Sequence, residues 1–379
     1  MNAIEVLLIA LLVSCVLAIL YPFALYPLVL RLLPTRPLAG GNAAAPSATL
    51  VFCAFNEGRA MPEKIANLDL LKALHPGLQI LAFDDGSSDD TAAQLAARPD
   101  LLTLVQGGGR SGKAHGMKLL AARASGDVII FTDANVTLAR DAVFNLLAYY
   151  ADPHIGGVLG SLHYLSEAGE GATASVGSLY WRLEEQLKDL ESRSGNVLGA
   201  DGSIFSIRRA LYPDFPDTVL DDLTVSMAVV FAGRRLIKAR DVIAYERPVA
   251  ARGDEYRRKV RISARAWHTH HYLRPQLRRM AALDRFKYIS RKVVRWFGGV
   301  FLITGFAAAL ALAWQWGGVL VLAGLVTISG ACACIGLRAH GGPVAALADI
   351  ILAYMATLQG VMQAMRGRTF AVWNPAKSR

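Results

Sequence analysis

Leu78-Gln-Ile-Leu-Ala-Phe-Asp-Asp-Gly-Ser-Ser-Asp-Asp-Thr91 is the stretch on which the fold turns. Leu78 to Phe83 reads as a short buried strand, carboxylates crowd its carboxyl end, and a helix begins near Asp89 after a polar turn. Similar units flank it. Upstream, Thr49 to Ala54 is a β-like run, followed by Asn56-Glu57 and a helix-period stretch from Met61 to Leu74. Downstream, Leu101 to Gln106 and Val128 to Thr132 are strands, with a helix from Lys113 to Ala124 between them. Strands alternating with helices of about 10–15 residues predict a parallel sheet covered on both faces. Ligands bind such sheets at the carboxyl ends of the strands. Those ends carry Asn56-Glu57, Asp84-Asp85, the loop Gly107 to Lys113, and Asp133.

Outside this middle the chain turns apolar. Of its 379 residues 54% are hydrophobic and 18% charged. A soluble domain is about 45–50% apolar and about a quarter charged, so a purely soluble enzyme, a disordered chain or a disulfide scaffold is a poor fit. Val6 to Leu30 contains no charge, Arg31 and Arg36 follow it, and Glu5 precedes it. This predicts a membrane anchor (residues 1–31) entering the cytoplasm near Arg31, rather than a signal peptide with a basic start. Trp296 to Leu337 is again uncharged, about twice the length of one span, and Trp314-Gln-Trp-Gly-Gly in its middle predicts an out-and-back hairpin. A third apolar run, Pro343 to Met365, carries Asp349, Gln359 and Gln363, so spanning and lying in the interface are both open. A basic tail, 366–379, ends the chain. Cys15, Cys53, Cys332 and Cys334 have no metal or disulfide spacing, as in a reducing cytosol.

The formal charge of +10 is concentrated in one place. Between Arg252 and Arg295 stand 14 Lys or Arg against Asp254, Glu255 and Asp284. Such a juxtamembrane segment (251–295) suits anionic headgroups or a phosphorylated ligand, and no nucleic-acid module accompanies it. His268, His270 and His271 lack the spacing of a zinc site and read as interfacial surface.

Gly107-Gly-Gly-Arg-Ser-Gly-Lys113 fits the first seven positions of a P-loop, with Val128 to Asp133 as an acidic partner strand. Position 114 is Ala, where that motif needs a hydroxyl for the metal. A sugar-nucleotide site is the stronger reading. Asp84 and Asp85 can accept a base N–H or ribose hydroxyls, and Asp133 with Asn135 offers oxygens to one hard cation, Mg²⁺ or Mn²⁺. That cation offsets charge on a departing diphosphate.

Val51-Phe-Cys-Ala-Phe-Asn-Glu57, Asp84-Asp-Gly-Ser-Ser-Asp89, Gly112-Lys113 and Asp133-Ala-Asn135 resemble successive motifs of the family 2 glycosyltransferases. Gly199-Ala-Asp-Gly-Ser-Ile-Phe-Ser-Ile-Arg-Arg209 is similar to the acceptor loop of membrane-bound members, and Leu220-Asp-Asp222 with Gly233 to their acid-pair motif. The resemblance covers roughly residues 48 to 267. It implies an α/β GT-A fold, Rossmann-like, in a cytosolic domain (48–250) between an N-terminal anchor and C-terminal transmembrane helices (296–365). It further implies inverting transfer from a UDP- or GDP-sugar. Asn56, Glu57, Asp84, Asp85, Lys113 and Asp133 would bind donor, and Asp201 and Gly202 acceptor. Asp222, or Asp221 beside it, would be the base. Two departures stand out. Asn135 replaces an acid, and Arg258-Lys259-Val-Arg261-Ile262 stands where polymer synthases carry Gln-x-x-Arg-Trp. Arg258, Lys259 and Arg261 still suit the donor diphosphate, or a lipid-linked phosphate at the membrane, but the missing Trp disfavours processive synthesis.

The resulting expectation is single-sugar transfer to a lipid-linked or cell-surface polysaccharide acceptor at the cytoplasmic face of a bacterial inner membrane. A processive synthase, a membrane-tethered scaffold with a degenerate site, and a P-loop protein are the alternatives. Trp181, Glu184, Glu185 and Glu191, on an expected helix from Gly177 to Ser192, are candidates for the acceptor groove or for the core.

Overall fold

The computed structural model describes residues 1–38, 44–165, 172–247, 251–339, 341–370 and 372, with 172–179 as backbone only. Part of the expected linker Pro37 to Pro46 and most of the basic tail lie outside them. The chain begins with α1 (Ala3–Leu20) and α2 (Leu25–Leu32). The first half of the central unit follows as β1 (Ala48–Ala54), α3 (Met61–Leu74), β2 (Gln79–Asp84), α4 (Thr91–Ala96), β3 (Thr103–Gln106), α5 (Lys113–Arg123) and β4 (Val128–Thr132). Then come β5 (Thr137–Leu138), α6 (Ala142–Ala148), β6 (Ile155–Tyr164), α7 (Ala172–Arg193), β7 (Ile204–Arg208), α8 (Asp221–Phe231) and β8 (Arg235–Glu246). Last are α9 (Arg252–Arg279), α10 (Ala282–Tyr288), a π-helical turn at Ile289–Val293, α11 (Val294–Trp296), α12 (Gly298–Arg338) and α13 (Pro343–Met365).

Among the described residues eight strands form one sheet in the order β3-β2-β1-β4-β7-β6-β8-β5. Alternation along β1 explains its two faces: Leu50 and Phe52 join the core under α3, whereas Val51 and Cys53 pack under α5. The first four strands are parallel, as the alternating pattern predicts. The second half of the sheet is mixed, because β7 runs antiparallel to both β4 and β6. A parallel β7 would need a crossover returning to the amino end of β4. Instead the chain leaves α7 at the carboxyl end of β4, and Ile204 pairs with Thr132. Phe131 and Phe205 are directly opposite and stack at 4.5 Å with an interplanar angle of 12°, which helps to fix the register.

The apolar N-terminal run is also divided. Helix α1 ends before Pro22, and α2 docks on the central unit, with Tyr26 and Leu30 fully buried beside Leu187 of α7. Nor is the basic segment a free interfacial strip. Leu273, Leu277 and Tyr288 form a core with Leu198, Leu223 and Met227.

Among the described residues three helices are long and apolar enough to cross a membrane: α1, α12 and α13. Helix α12 breaks at Gly317-Gly318, where Gly318 adopts φ +57°, ψ −144°, so it consists of two legs. Gly298 and Gly299 at its start lie against Tyr354 and Leu358 of α13, while Gly336 near its end meets Val344 and Ala348. One helix thus crosses both ends of the hairpin. Helix α13 also runs beside α9: Arg252 pairs with Asp349, Tyr256 donates to Gln359 at 2.5 Å, and Gly360 abuts the Val260 carbonyl.

Candidate active site

The carboxyl ends of β1 and β2 are organised by backbone N–H groups. Asp84 Oδ2 accepts from the N–H of Gly86 and Ser87 at 3.2 and 3.1 Å, closing the turn after β2. Its Oδ1 is buried and has no hydrogen-bond partner among the described residues. Asp85 is fully buried and takes N–H groups from Ser111 and Gly112 at 2.7 and 2.9 Å, plus Arg110 Nε at 3.2 Å. This argues against the P-loop reading: the glycine loop turns N–H groups inward onto Asp85, so these are not free to cradle phosphate. Asn56, at φ +51°, accepts from Ser88 N–H at 2.8 Å, and Glu57 N–H donates to Thr91 Oγ1 at 2.9 Å. These two residues join the first loop to the second.

The antiparallel pairing of β4 with β7 brings the remaining predicted residues together. Asp133 follows Thr132 and Asp201-Gly202 precede Ile204, so paired strand ends place both segments at one point. Lys113, opening α5, reaches Asp133 Oδ1 at 2.5 Å and lies 3.9 Å from Asp221. Gly202 permits the close approach, because a Cβ there would stand 2.8 Å from Lys113 Nζ and 3.1 Å from Asp133 Oδ2. Asp201 itself pairs with Lys188 and Ser203, which holds the loop.

Asp221 and Asp222 occupy the first turn of α8, where the helix dipole favours negative charge. Asp221 is buried between two cations, Lys113 at 3.9 Å and Arg265 of α9 at 3.8 Å. Asp222 accepts from Leu223 N–H at 2.6 Å. Burial and the neighbouring Asp221 push its carboxyl up to about 6, with Lys113 opposing.

Several residues here were not singled out from the sequence. Lys64 is buried and donates to the carbonyls of Asp133 and Val136 at 3.0 and 2.6 Å, clamping the Asp133 loop from below. Its signal was a lone lysine on the buried stripe Met61, Leu68 and Leu71. Glu246, ending β8, accepts from Asn135 Nδ2 at 3.0 Å, and as the two stand 111 positions apart no local pattern links them. Arg258 ion-pairs with Glu255 at 3.4 Å and feels Glu246 and Asp133 through space, which hold it protonated. Lys259 points elsewhere, to Glu255 at 3.0 Å and the ring of Tyr180 at 5.1 Å. Arg261 is half-buried on the same helix. Glu185 and Glu191 also prove structural: Glu185 bridges Lys188 and Lys238, and Glu191 accepts from Tyr26, Arg291 and the Leu198 N–H.

No three acids, histidines or cysteines gather at one point among the described residues, but Asp133 and Asn135, with Glu246 hydrogen-bonded to Asn135, carry hard oxygens of the kind that Mg²⁺ or Mn²⁺ takes. Asn135 spends its amide nitrogen on Glu246, so its carbonyl oxygen is not needed for that bond. Asp133 already faces a cation, Lys113. The donor set therefore fits a divalent ion.

Residues 49–214 match the sequence model of the family described as "Glycosyl transferase family 2". An N-acetylglucosaminyltransferase of Rhizobium leguminosarum bv. trifolii is 32% identical over 129 residues, covering 32% of this chain and 69% of that protein. Another, from Rhizobium meliloti (strain 1021), is 22% identical over 341 residues, covering 82% of this chain and 78% of that protein. Among solved structures, the mannosyltransferase PcManGT from Pyrobaculum calidifontis, in complex with GDP-Man and Mn²⁺, has a TM-score of 0.73 at 23% identity. That match covers 96% of this chain and 99% of PcManGT, and it is a likeness of fold. The fold is GT-A, and the chain belongs to the family 2 glycosyltransferases, as an enzyme of that class.

Proposed function

We propose that the protein is an inverting glycosyltransferase that moves one sugar from a nucleotide-diphosphate donor to a lipid-linked or cell-surface acceptor beside the membrane. The observation that carries this reading is the convergence of Lys113, Asp133, Asp221 and Gly202 at the ends of β4 and β7. The buried, unpartnered Oδ1 of Asp84 supplies an acceptor for a nucleotide N–H or ribose hydroxyl. Lys113 and Arg258 supply positive charge for the diphosphate, and Asp133 and Asn135, with Glu246 adjoining, would hold Mg²⁺ or Mn²⁺. When bound, the ion stabilises the charge that develops on the leaving diphosphate. The names of the curated relatives make N-acetylglucosamine the sugar to test first.

Asp222 is the base in this reading. Asp221, held between Lys113 and Arg265, serves as their counter-ion, while Asp222, pushed up to about 6, can take a proton near neutral pH. A deprotonated acceptor hydroxyl attacks the anomeric carbon from the face opposite the diphosphate, and that single displacement inverts the configuration. Helix α1 and the two legs of α12 cross the membrane, and α13 lies along the cytoplasmic interface under the hairpin, next to the basic helix α9.

Calorimetric titration of the full chain in detergent with UDP-N-acetylglucosamine, other UDP-sugars and GDP-mannose, with and without Mn²⁺, tests the reading. Metal-dependent binding of one sugar nucleotide, lost in Asp133→Ala, is the expected result. Absence of binding to every sugar nucleotide would overturn it and favour a scaffold.

A further inference from the structure

A second cluster of charge lies just ahead of α12, apart from Asp133 and Asp222. Arg291 is buried and shared between two acids, reaching Glu184 at 2.8 Å and Glu191 at 2.7 Å. Arg295 donates to Glu184 at 2.6 Å and to the Tyr180 hydroxyl at 3.3 Å, with its guanidinium against the rings of Phe23 and Tyr180. Yet Arg295 Nε and Nη2 are buried without a hydrogen-bond partner among the described residues. Lys292 makes no hydrogen bond or ion pair among the described residues, and burial beside Arg291 pulls it down to about 8. Three cations therefore face two carboxylates, both already engaged by the arginines. Buried donors are nearly always satisfied in folded proteins, so Arg295 Nε and Nη2, with the unpaired Lys292 ammonium on the same helical face, suit an anionic ligand.

Its position says which anion. Lys292 lies over Gly199, at the head of the loop ending in Asp201-Gly202, where φ is +97°. A Cβ on Gly199 would stand 2.5 Å from Leu223 Cδ1 and 3.6 Å from Lys292 Nζ, and Leu223 is the residue after Asp222. On the other side the chain continues into α12 through Phe297 and Val300, both exposed and apolar. The donor diphosphate already has Lys113 and Arg258. An anion here, between the proposed base and a membrane helix, belongs to the second substrate.

We propose that Lys292 and Arg295 bind the phosphate of a lipid-linked acceptor, leaving its apolar tail against the membrane helices and its hydroxyl toward Asp222. The assignment rests on the reading of Asp222 as base and of the acceptor as membrane-bound. Arginine N–H groups and a lysine ammonium together suit a phosphate that needs both directed and point-charge contacts.

The test uses the full chain in detergent, with farnesyl phosphate as probe and farnesol and inorganic phosphate as controls. Farnesyl phosphate should bind at least about tenfold more tightly than farnesol, the effect of one or two charge-assisted hydrogen bonds. Lys292→Gln breaks no ion pair, and should weaken farnesyl phosphate by about tenfold while leaving sugar-nucleotide binding unchanged. Arg295→Lys keeps a cation for Glu184, and should also weaken farnesyl phosphate if the guanidinium donors are used. Competition by millimolar inorganic phosphate that depends on Lys292 supports the phosphate chemistry. Inorganic phosphate binding as tightly as farnesyl phosphate would make the source a free anion and overturn the lipid assignment. Unchanged farnesyl phosphate affinity in Lys292→Gln, or equal binding of farnesol, would overturn the site itself. Failure of the parent protein to bind any sugar nucleotide would count against the donor reading and leave the farnesyl phosphate comparison standing.

Discussion

The two halves of the sheet neutralise their acids in different ways. On the parallel side, Asp84, Asp85 and Asp89 are satisfied largely by backbone N–H groups and hydroxyls of nearby loops. On the antiparallel side, Asp201, Asp221, Glu184 and Glu191 are met by Lys188, Lys113, Arg265, Arg291 and Arg295. A carboxylate held by backbone stays fixed as long as its loop does. One held by a distant cation depends on the whole assembly, and its proton affinity can be adjusted by neighbours. The first arrangement suits a binding surface; the second lets Asp221 and Lys113 set the proton affinity of Asp222 beside them.

The sharpest way to break this comparison is Asp222→Asn. Transfer should fall by about 10²–10⁴-fold while calorimetric donor affinity stays within a factor of about two, since general-base catalysis contributes on that scale. An active Asp222→Asn enzyme would sink the base assignment. Next in size is Arg291→Met, which leaves Glu184 with Arg295 alone and takes from Glu191 its buried ion-pair partner. Breaking a buried pair costs about 3–5 kcal/mol, against about 1–3 kcal/mol for removing a hydrogen-bonded acid such as Asp85 with Asp85→Asn. Thermal unfolding of both variants in one detergent should rank them in that order, and equal losses would erase the contrast.

Lys64→Met probes the parallel side from beneath. It should weaken metal-dependent donor binding by about 10–100-fold, the usual consequence of losing an outer-shell support, with far-ultraviolet circular dichroism unchanged. Donor affinity equal to that of the parent would show that the Asp133 loop holds its shape alone. The smallest effect concerns pH. Asp222 must be ionised to act, so kcat should decline as pH falls through about 6. Asp221 raises that value, so in Asp221→Asn the acid limb should move to lower pH. A limb that stays put would separate the two acids.

The same contrast explains what could be read from the sequence. Asp84, Asp85 and Asp133 stand out because each follows a short apolar strand, and their turns lie within a few residues. The parallel half was legible for that reason. The direction of β7 was not, because Ile204 to Ile207 is an apolar strand whichever way it runs, and its orientation comes from the end of the sheet at which α7 delivers the chain. Likewise Asn135 and Glu246, or Glu191 and Arg291, meet across about a hundred residues, and nothing local in either segment marks its partner. Lys64 is the intermediate case, since its place on an apolar stripe marked it as buried without saying what it held.

The burial of α7 has a practical consequence for anyone wishing to cut the molecule down. Glu191 receives Tyr26 from ahead of the sheet and Arg291 from behind it, so the two apolar ends of the chain are fastened to one helix. A fragment trimmed to residues 48–250 would keep the acids and discard both fasteners. The soluble catalytic piece that the motif pattern invites would be an incomplete object, and crystallisation or screening is better planned around the whole chain in a lipid nanodisc.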